Sequence, residues 1–223
     1  MAFFFNIMYN NFRGEGDEFM YIKQREGWIE VITGPMFAGK TEELIRRVKR
    51  LEYAKQNIIV FKPLIDNRFA DNEVVSHNNN RTRSINITKA RDIMKYVDDY
   101  TEVVVIDEIQ FLDEDAVEIC EYLANHGIRV IVSGLDRDFR GEPFSFMPRL
   151  LSLAEEVTKL SAICVKCHTP ATRTQRIING KPAHYNDPII LVGAQDSYEA
   201  RCRHCHEVPG RPQVYELFSV KHE

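Results

Sequence analysis

The sequence predicts an α/β fold in which helices cover both faces of a parallel β-sheet, followed by a small cysteine-bearing unit. Short apolar runs rich in β-branched residues alternate with segments of helical periodicity, which is the pattern of a parallel sheet buried on both sides. A glycine-rich segment joins the first run to the first helix. From about residue 162 the sustained apolar periodicity ends, and two Cys-x-x-Cys pairs stand in a stretch dense in glycine, proline, asparagine and histidine.

Five apolar runs predict the strands of this sheet. The first, WIEVITG, runs directly into a glycine, and the second, NIIVFKP, is closed by a proline. EVVVIDE is a run of β-branched residues that ends in two acids, and β-branched residues favour strands. The predicted strands occupy residues 28–34, 57–63, 84–87, 102–108 and 128–135.

Helices are predicted between these strands. In the segment 39–54, Leu44, Ile45, Val48 and Leu51 recur at helical spacing with charged residues between them. The other helices are predicted over 88–99 with Thr88 as the N-cap, over 113–126 with Gly127 as the stop, and over 147–156. The polar, asparagine-rich segment 64–83 is predicted to be a surface loop.

Composition and charge are those of an ordinary globular protein. The 223 residues are 44% hydrophobic and 28% charged, and the formal net charge of −4 lacks the basic excess of a nucleic-acid binder. No apolar stretch is long enough to span a bilayer, and the start, MAFFFNIMYN, lacks the basic region and cleavage site of a signal peptide. We therefore expect a cytoplasmic protein with no nucleic-acid or membrane partner.

The pattern divides the chain into three segments. Residues 1–20 show no periodicity and are predicted to be a loose N-terminal extension, 21–161 form the α/β domain, and 162–223 form a small second domain with a polar tail. One of the five cysteines, Cys120, falls at helical spacing among apolar residues and is predicted to be a buried structural thiol.

The segment GPMFAGKT (34–41) fits the phosphate-binding pattern G-x-x-x-x-G-K-[ST] between a predicted strand and a predicted helix. Glycines at 34 and 39 permit close backbone approach, so that successive N–H groups can surround phosphate oxygens at a helix N-terminus. Lys40 is expected to reach the β- and γ-phosphates, and the Thr41 hydroxyl is expected to ligate Mg²⁺. The predicted ATP-binding loop comprises Gly34, Pro35, Met36, Phe37, Ala38, Gly39, Lys40 and Thr41.

Two acids follow the strand VVVI. A parallel strand ending in Asp107 places that carboxylate at the carboxyl edge of the sheet beside the phosphate loop, where it can hold Mg²⁺ directly or through water. Glu108 is then free to accept a proton from a hydroxyl substrate as a general base. Activation of water, as in an ATPase, is equally compatible with this pair of residues.

The paired cysteines Cys164/Cys167 and Cys202/Cys205 predict a structural zinc site, because two Cys-x-x-Cys units supply four thiolates for tetrahedral coordination. A fully ligated ion leaves no open position for catalysis. The intervening residues 168–201 show no evident core, so we expect a metal-pinned loop beside the phosphate site that acts as a lid. A redox dithiol is the alternative.

Together these residues resemble the type II thymidine kinases, a family that combines a P-loop domain with a zinc-bearing lasso domain. The resemblance covers about residues 28–206 and rests on GPMFAGKT, DEIQF (107–111), GLDRDFRGEPF (134–144), and CVKC and CRHC around LVGAQDSYEARC. The sequence departs from the family pattern at Ile109, where a small residue, often glycine, is usual, and at Ala38, where serine is common. The implied fold is a RecA-like, parallel-sheet P-loop domain with a small zinc-binding lasso or ribbon domain.

The resemblance implies that ATP donates its γ-phosphoryl group to the 5′-hydroxyl of thymidine, with Glu108 as the proton acceptor and Arg68 as a second catalytic residue. It adds Asp66, Asp107 and Gln110 to the ATP and magnesium site. It also implies a homotetramer with feedback inhibition by thymidine triphosphate. The nucleoside pocket that it implies comprises Met36, Phe111, Leu135, Phe139, Phe144, Ile189, Ile190, Leu191, Val192 and Tyr198.

Two other readings fit parts of the sequence. Another P-loop kinase or nucleotide hydrolase with a zinc ribbon would share the phosphate loop and the cysteines. A non-enzymatic zinc-ribbon module that binds nucleic acid would share only the cysteines, and the net charge of −4 and the intact phosphate loop disfavour it.

Overall fold

The structure, a computed structural model, describes residues 26–64, 73–75, 81–190 and 197–212, of which 73–75 and 81–83 are described by their backbone alone. The predicted extension over 1–20 lies outside these residues. Four predicted site residues also lie outside them, namely Asp66, Arg68, Leu191 and Val192.

A six-stranded parallel sheet forms the centre of the fold, as the alternating pattern predicts. Its strands are β1 (Ile29–Thr33), β2 (Ile58–Pro63), β5 (Ile85–Ile87), β6 (Val103–Ile106), β7 (Arg129–Gly134) and β8 (Glu156–Lys159), and two further strands, β3 (Glu73–Val75) and β4 (Arg81–Arg83), pair with each other in antiparallel fashion. The order across the sheet is β5-β2-β6-β7-β1-β8, and every pairing is parallel. The central strands β1 and β6 are buried along their whole length.

Helices cover both faces of this sheet. The helices are α1 (Lys40–Tyr53), α2 (Asp115–Asn125) and α3 (Met147–Leu153), with 3₁₀ turns at Ala90–Lys95 and Ile109–Phe111. The apolar stripe of α1 packs on Ile32, Val105 and Ile131 at one face. On the other face a larger core joins α2, α3 and both 3₁₀ turns, and it contains the fully buried thiol of Cys120 that the sequence predicts.

Three local predictions are wrong. The segment 88–99 forms only the short 3₁₀ turn at 90–95, where Lys89 takes the cap position, while the Thr88 hydroxyl donates to Asp92. The helix predicted over 147–156 ends at Leu153 because Ala154 is extended, and the chain then enters the edge strand β8. Part of the surface loop predicted over 64–83 is the antiparallel pair β3 and β4.

Beyond Leu160 the chain builds two small antiparallel sheets. Their strands are β9 (Ala162–Ile163), β10 (Pro170–Ala171), β11 (Arg173–Ile178), β12 (Lys181–Pro182) and β13 (Ser197–Arg201), with β10 paired to β9 and the order β12-β11-β13 in the second sheet. This segment, which the sequence predicts to lack a core, contains a small buried cluster of Ala162, Cys164, Ala171, Ala200 and Cys202. We call residues 162–212 the ribbon.

A buried charge network fixes the amino end of the sheet. Glu30 of β1 is 1% exposed and accepts hydrogen bonds from Arg129 over 2.5 Å, from the Trp28 indole over 2.8 Å, and from Arg47. Burial by itself would raise the pKa of Glu30, but these donors hold the pKa below its usual value. The network joins α1 to β1 and β7, so it ties the helix that follows the phosphate loop to the sheet.

Within the described ranges, no helix is both long and apolar enough to cross a bilayer.

Glu30→Gln should lower the free energy of unfolding at neutral pH by about 1.5–3 kcal/mol, because the half-buried Arg129 loses its ionic partner and Arg47 keeps only Glu43 and Glu156. Because the pKa of Glu30 is lowered in the folded state, the stabilisation exists above the unfolded pKa of about 4.3 and fades as the pH falls through the folded value. Urea unfolding of both proteins at neutral and acidic pH measures the difference. Glu118→Gln, which breaks the exposed pair with Arg149, is the control and should cost less than about 1 kcal/mol. Equal losses in the two variants would contradict the prediction.

Candidate active site

The predicted phosphate loop lies between the carboxyl end of β1 and the start of α1. Gly34 has φ 147°, and a Cβ atom there would lie 2.5 Å from the carbonyl oxygen of Leu160, so only glycine fits. Gly39 has φ 83° and begins α1 in the left-handed conformation. The loop therefore delivers backbone N–H groups and the helix N-terminus to the carboxyl edge of the sheet, an arrangement that favours anions.

Lys40 is the cation of this loop and is 7% exposed. Its Nζ donates to the carbonyl oxygen of Pro35 over 2.9 Å. Burial lowers the pKa of Lys40, while the carboxylates of Glu108 and Asp107 act in the opposite direction. A partly desolvated ammonium group with this orientation can bind a phosphate oxygen more strongly than an exposed one.

Asp107 follows β6 and is 3% exposed. Its Oδ1 accepts the Ser133 hydroxyl and the backbone N–H of Glu108, the latter over 3.1 Å, and no hydrogen bond to Oδ2 is present among the described residues. Burial, followed by the neighbouring Glu108 carboxylate, raises the pKa of Asp107. A buried carboxylate with one oxygen fixed and the other open fits a Mg²⁺ ligand.

Glu108 lies half-buried at the sharp turn after β6, with φ 52° and ψ 40°. It is this residue, and not Ile109, that adopts the left-handed conformation. Ile109 starts the 3₁₀ turn and is fully buried in the core, so the departure from the family's usual small residue requires no special backbone geometry. Gln110, also predicted as a site residue, donates to the Glu108 carboxylate from within the same turn.

A cavity of about 380 Å³ opens beside Glu108. Eight of the residues assigned to a nucleoside pocket by resemblance line it together: Met36, Phe111, Leu135, Phe139, Phe144, Ile189, Ile190 and Tyr198. The rings of Phe111 and Phe144 meet edge to face with centroids 5.9 Å apart. The cavity thus has aromatic and apolar walls with the Glu108 carboxylate at its border, and its size suits a small organic ligand.

The cavity also contains residues that the sequence does not single out: Lys62, Arg137, Asp138 and Thr174. Thr174 lies on β11 of the ribbon, and its hydroxyl accepts the backbone N–H of Met36 over 3.0 Å. This hydrogen bond joins the ribbon directly to the phosphate loop. A threonine among polar strand residues carries no local signal for such a contact, because its partner is distant in the sequence.

Arg176 contacts two parts of the cavity wall without lining the cavity itself, and it is likewise absent from the sequence-based predictions. Among the residues that the structure describes it is the largest fully buried side chain, and its Nη1 donates to the carbonyl oxygen of Pro188 over 2.6 Å. Its guanidinium carbon lies 5.4 Å from the centre of the Phe139 ring. Arg176 therefore holds both the Phe139 wall and the backbone that leads into Ile189 and Ile190.

The four predicted zinc ligands meet at one point of the ribbon, where the sulfur atoms of Cys164, Cys167, Cys202 and Cys205 all lie within 4.8 Å of one another. The sulfur atoms of Cys167 and Cys202 are 3.6 Å apart. Zinc bonds of about 2.3 Å at tetrahedral angles place sulfur atoms about 3.8 Å apart, so the cluster fits this ion. All four are free thiols, so the structure contains no disulfide at this position.

The carboxyl edge of the sheet therefore combines three chemical elements: an anion-binding loop with a buried lysine, two adjacent carboxylates, and an aromatic cavity. They meet at Met36, which belongs to the loop and lines the cavity. A phosphorylated donor at the loop and a hydroxyl-bearing acceptor in the cavity would meet beside Glu108. The arrangement suits phosphoryl transfer.

Comparison with protein families gives an independent finding. The family model described as thymidine kinase matches residues 27–206, which is most of the chain. The matched span begins just before β1 and ends directly after the last cysteine of the cluster.

The protein should contain about one zinc ion per chain, and Cys202→Ser should lose it because three thiolates bind the ion less tightly than four. Limited proteolysis should then cut within 162–212 before it cuts within 26–161, since the ribbon has only a small core of its own. Metal analysis and mass mapping of the fragments measure both effects. Cys120→Ser is the control and should keep its zinc, because Cys120 lies in α2 outside the cluster. Full zinc content in Cys202→Ser would contradict the assignment.

Proposed function

Because the chain belongs to the thymidine kinase family and is an ATP-dependent thymidine kinase, we propose that ATP binds at residues 34–41 and that thymidine binds in the adjoining cavity with its 5′-hydroxyl toward Glu108. The observation that carries this assignment is the junction of loop, carboxylate and cavity at one edge of the sheet. Membership in the family sets aside the alternatives of an unrelated P-loop hydrolase and a non-enzymatic zinc ribbon.

The cavity walls support a flat pyrimidine ligand. Phe111 and Phe144 provide aromatic surface, and Tyr198 and Leu135 add further contact area. The cavity volume of about 380 Å³ lies near the lower end of the range for small-molecule sites and matches a nucleoside better than a larger ligand. Backbone groups at Ile189 and Ile190, which line the cavity, are proposed to hydrogen-bond the base.

The triphosphate site is proposed to use the backbone of the loop together with Lys40. The Lys40 ammonium group would exchange its contact with the Pro35 carbonyl for phosphate oxygens, where it offsets negative charge in a water-poor setting. Thr41 and Asp107 would hold Mg²⁺, which when bound neutralises charge on the β- and γ-phosphates. The open Oδ2 of Asp107 supports this role.

In the transfer step Glu108 accepts the proton of the 5′-hydroxyl as the hydroxyl oxygen forms its bond to the γ-phosphorus. The bond between the γ-phosphorus and the bridging oxygen breaks, and ADP leaves with that electron pair. Glu108 borders the cavity, and its neighbour Asp107 has the separate task of metal binding. Asp66 and Arg68 remain candidates for phosphate contacts by resemblance to the family.

Two wider properties are also proposed. The family resemblance supports a homotetramer, in which feedback by thymidine triphosphate is expected. The cluster of free thiols supports a reducing compartment, because zinc ligation requires cysteines that are not oxidised to disulfides, and we propose the cytoplasm.

Glu108→Gln should lower kcat by roughly 10²–10⁴-fold, the usual contribution of a general base, because the variant keeps the shape of the side chain and loses its basic oxygen. The KM for ATP should change little. Steady-state kinetics with thymidine and ATP measure both parameters.

A contrasting variant, Lys40→Ala, should strongly lower kcat because a positive charge at the phosphates is lost, while thymidine should still bind at equilibrium. A kcat near the parent value in Glu108→Gln would remove this residue from the role of base. Loss of thymidine binding with intact ATP binding in Lys40→Ala would reverse the assignment of the two subsites.

Arg176→Met should raise the KM for thymidine by about 10-fold and leave the KM for ATP unchanged, because the Phe139 wall and the Pro188 carbonyl lose their support. Gln175→Met is the matched control: Gln175 is a buried polar neighbour on β11 that bonds the backbone of Glu207 and does not line the cavity. This control should lose stability without a change in the thymidine KM. Equal KM effects in both variants would indicate general loosening of the ribbon.

A further inference from the structure

Gln110 is a buried polar residue in the turn that follows Glu108, with 2% of its surface exposed. Its side-chain amide contacts two neighbours. Nε2 donates to Glu108 Oε2 over 2.6 Å, and Oε1 accepts the backbone N–H of Leu135 over 3.1 Å. The amide thus links the carboxylate at the end of β6 to the backbone at the end of β7.

The partners determine the orientation of this amide. The backbone N–H of Leu135 can only donate, so the atom facing it is the carbonyl oxygen, and the NH₂ group must face Glu108. A donor at this position restricts the rotation of the carboxylate. Gly134 provides the necessary room, since a Cβ atom there would lie 2.5 Å from Gln110 Oε1.

We propose that Gln110 is a positioning residue for the transfer base: it binds Glu108 Oε2 and presents Oε1 to the acceptor hydroxyl. This inference rests on the proposed general-base role of Glu108. It differs from the sequence-based assignment of Gln110 to the ATP and magnesium site, because both ends of the amide are engaged within the protein.

The consequence for the reaction is a defined proton acceptor atom. Gln110 holds Oε2 and fixes the plane of the carboxylate, and the proposal assigns Oε1 as the atom that takes the proton of the 5′-hydroxyl as that hydroxyl oxygen bonds to the γ-phosphorus and ADP departs. Two hydrogen bonds therefore run in series from the Glu108 carboxylate through the Gln110 amide to the backbone N–H of Leu135. Leu135 also lines the cavity, so the same hydrogen bonds relate the base to the nucleoside wall.

A double-mutant cycle tests this role. Gln110→Met keeps the approximate shape and removes both hydrogen bonds, and kcat should fall by about 10-fold or more, the effect expected of a lost hydrogen bond to a charged group. The KM values for thymidine and ATP should stay within about twofold. In the Glu108→Gln background, measured by single turnover with excess enzyme, the same substitution should have no further effect beyond about twofold, because it acts through Glu108.

Three results would overturn the proposal. The first is an unchanged kcat in Gln110→Met, and the second is a raised KM for ATP. The third is a full multiplicative loss in the double variant, which would mean that Gln110 acts on the triphosphate independently of Glu108. A normal kcat in Glu108→Gln alone would instead refute the proposed base, so the two failures are distinguishable.

Gln110→Leu serves if the methionine variant does not fold, because its shorter apolar side chain needs less room in the turn. It removes both the donor to Glu108 and the acceptor of the Leu135 N–H, so kcat should again fall by about 10-fold or more while thymidine still binds at equilibrium. A kcat near the parent value in this folded variant would overturn the positioning role.

Discussion

The parallel pairing of β1, β6 and β7 is the constraint on which the rest of the active site depends. Because parallel strands end at the same edge, the register brings the phosphate loop, the pair Asp107–Glu108 and the Ser133–Leu135 segment side by side. Side chains then lock the three ends together: the Thr33 hydroxyl donates to the Gly134 carbonyl over 2.9 Å, and the Ser133 hydroxyl bonds Asp107. The phosphate loop, the two carboxylates and the backbone of Leu135 are therefore positioned by three strands whose residues are almost all buried.

The ribbon completes the site from outside the sheet, and its attachment is equally specific. Thr174 accepts the backbone N–H of Met36 in the phosphate loop, and His206 bonds the Phe139 carbonyl over 2.8 Å. Just before the ribbon, Leu160 packs so closely on Gly34 that no side chain fits there. A nucleoside in the cavity would contact both units. The four-cysteine cluster lies where the two small sheets meet, and β13, which leads into Cys202, also carries the cavity residue Tyr198.

The sequence predicts the elements whose signals are local. The phosphate loop, the acidic pair and the cysteine pairs are short motifs with fixed spacing, and the buried strands are continuous apolar runs, so the α/β fold and the four-cysteine cluster can be predicted. Arg176, Thr174 and Lys62 escape prediction because their roles arise from partners that the fold brings from distant positions. The end of α3 is missed for a related reason: Ala154 and Glu155 are compatible with a helix, and the pairing of β8 with β1 overrides that preference.

The left-handed backbone of Glu108 has a consequence for how this protein can be stabilised. A residue with a Cβ atom at φ 52° stores roughly 1–3 kcal/mol of conformational strain, which glycine or asparagine would relieve. Under the proposed general-base role of Glu108, replacement at 108 sets thermodynamic improvement against turnover. Thermostability engineering guided by backbone geometry alone would select this position and remove the proposed base.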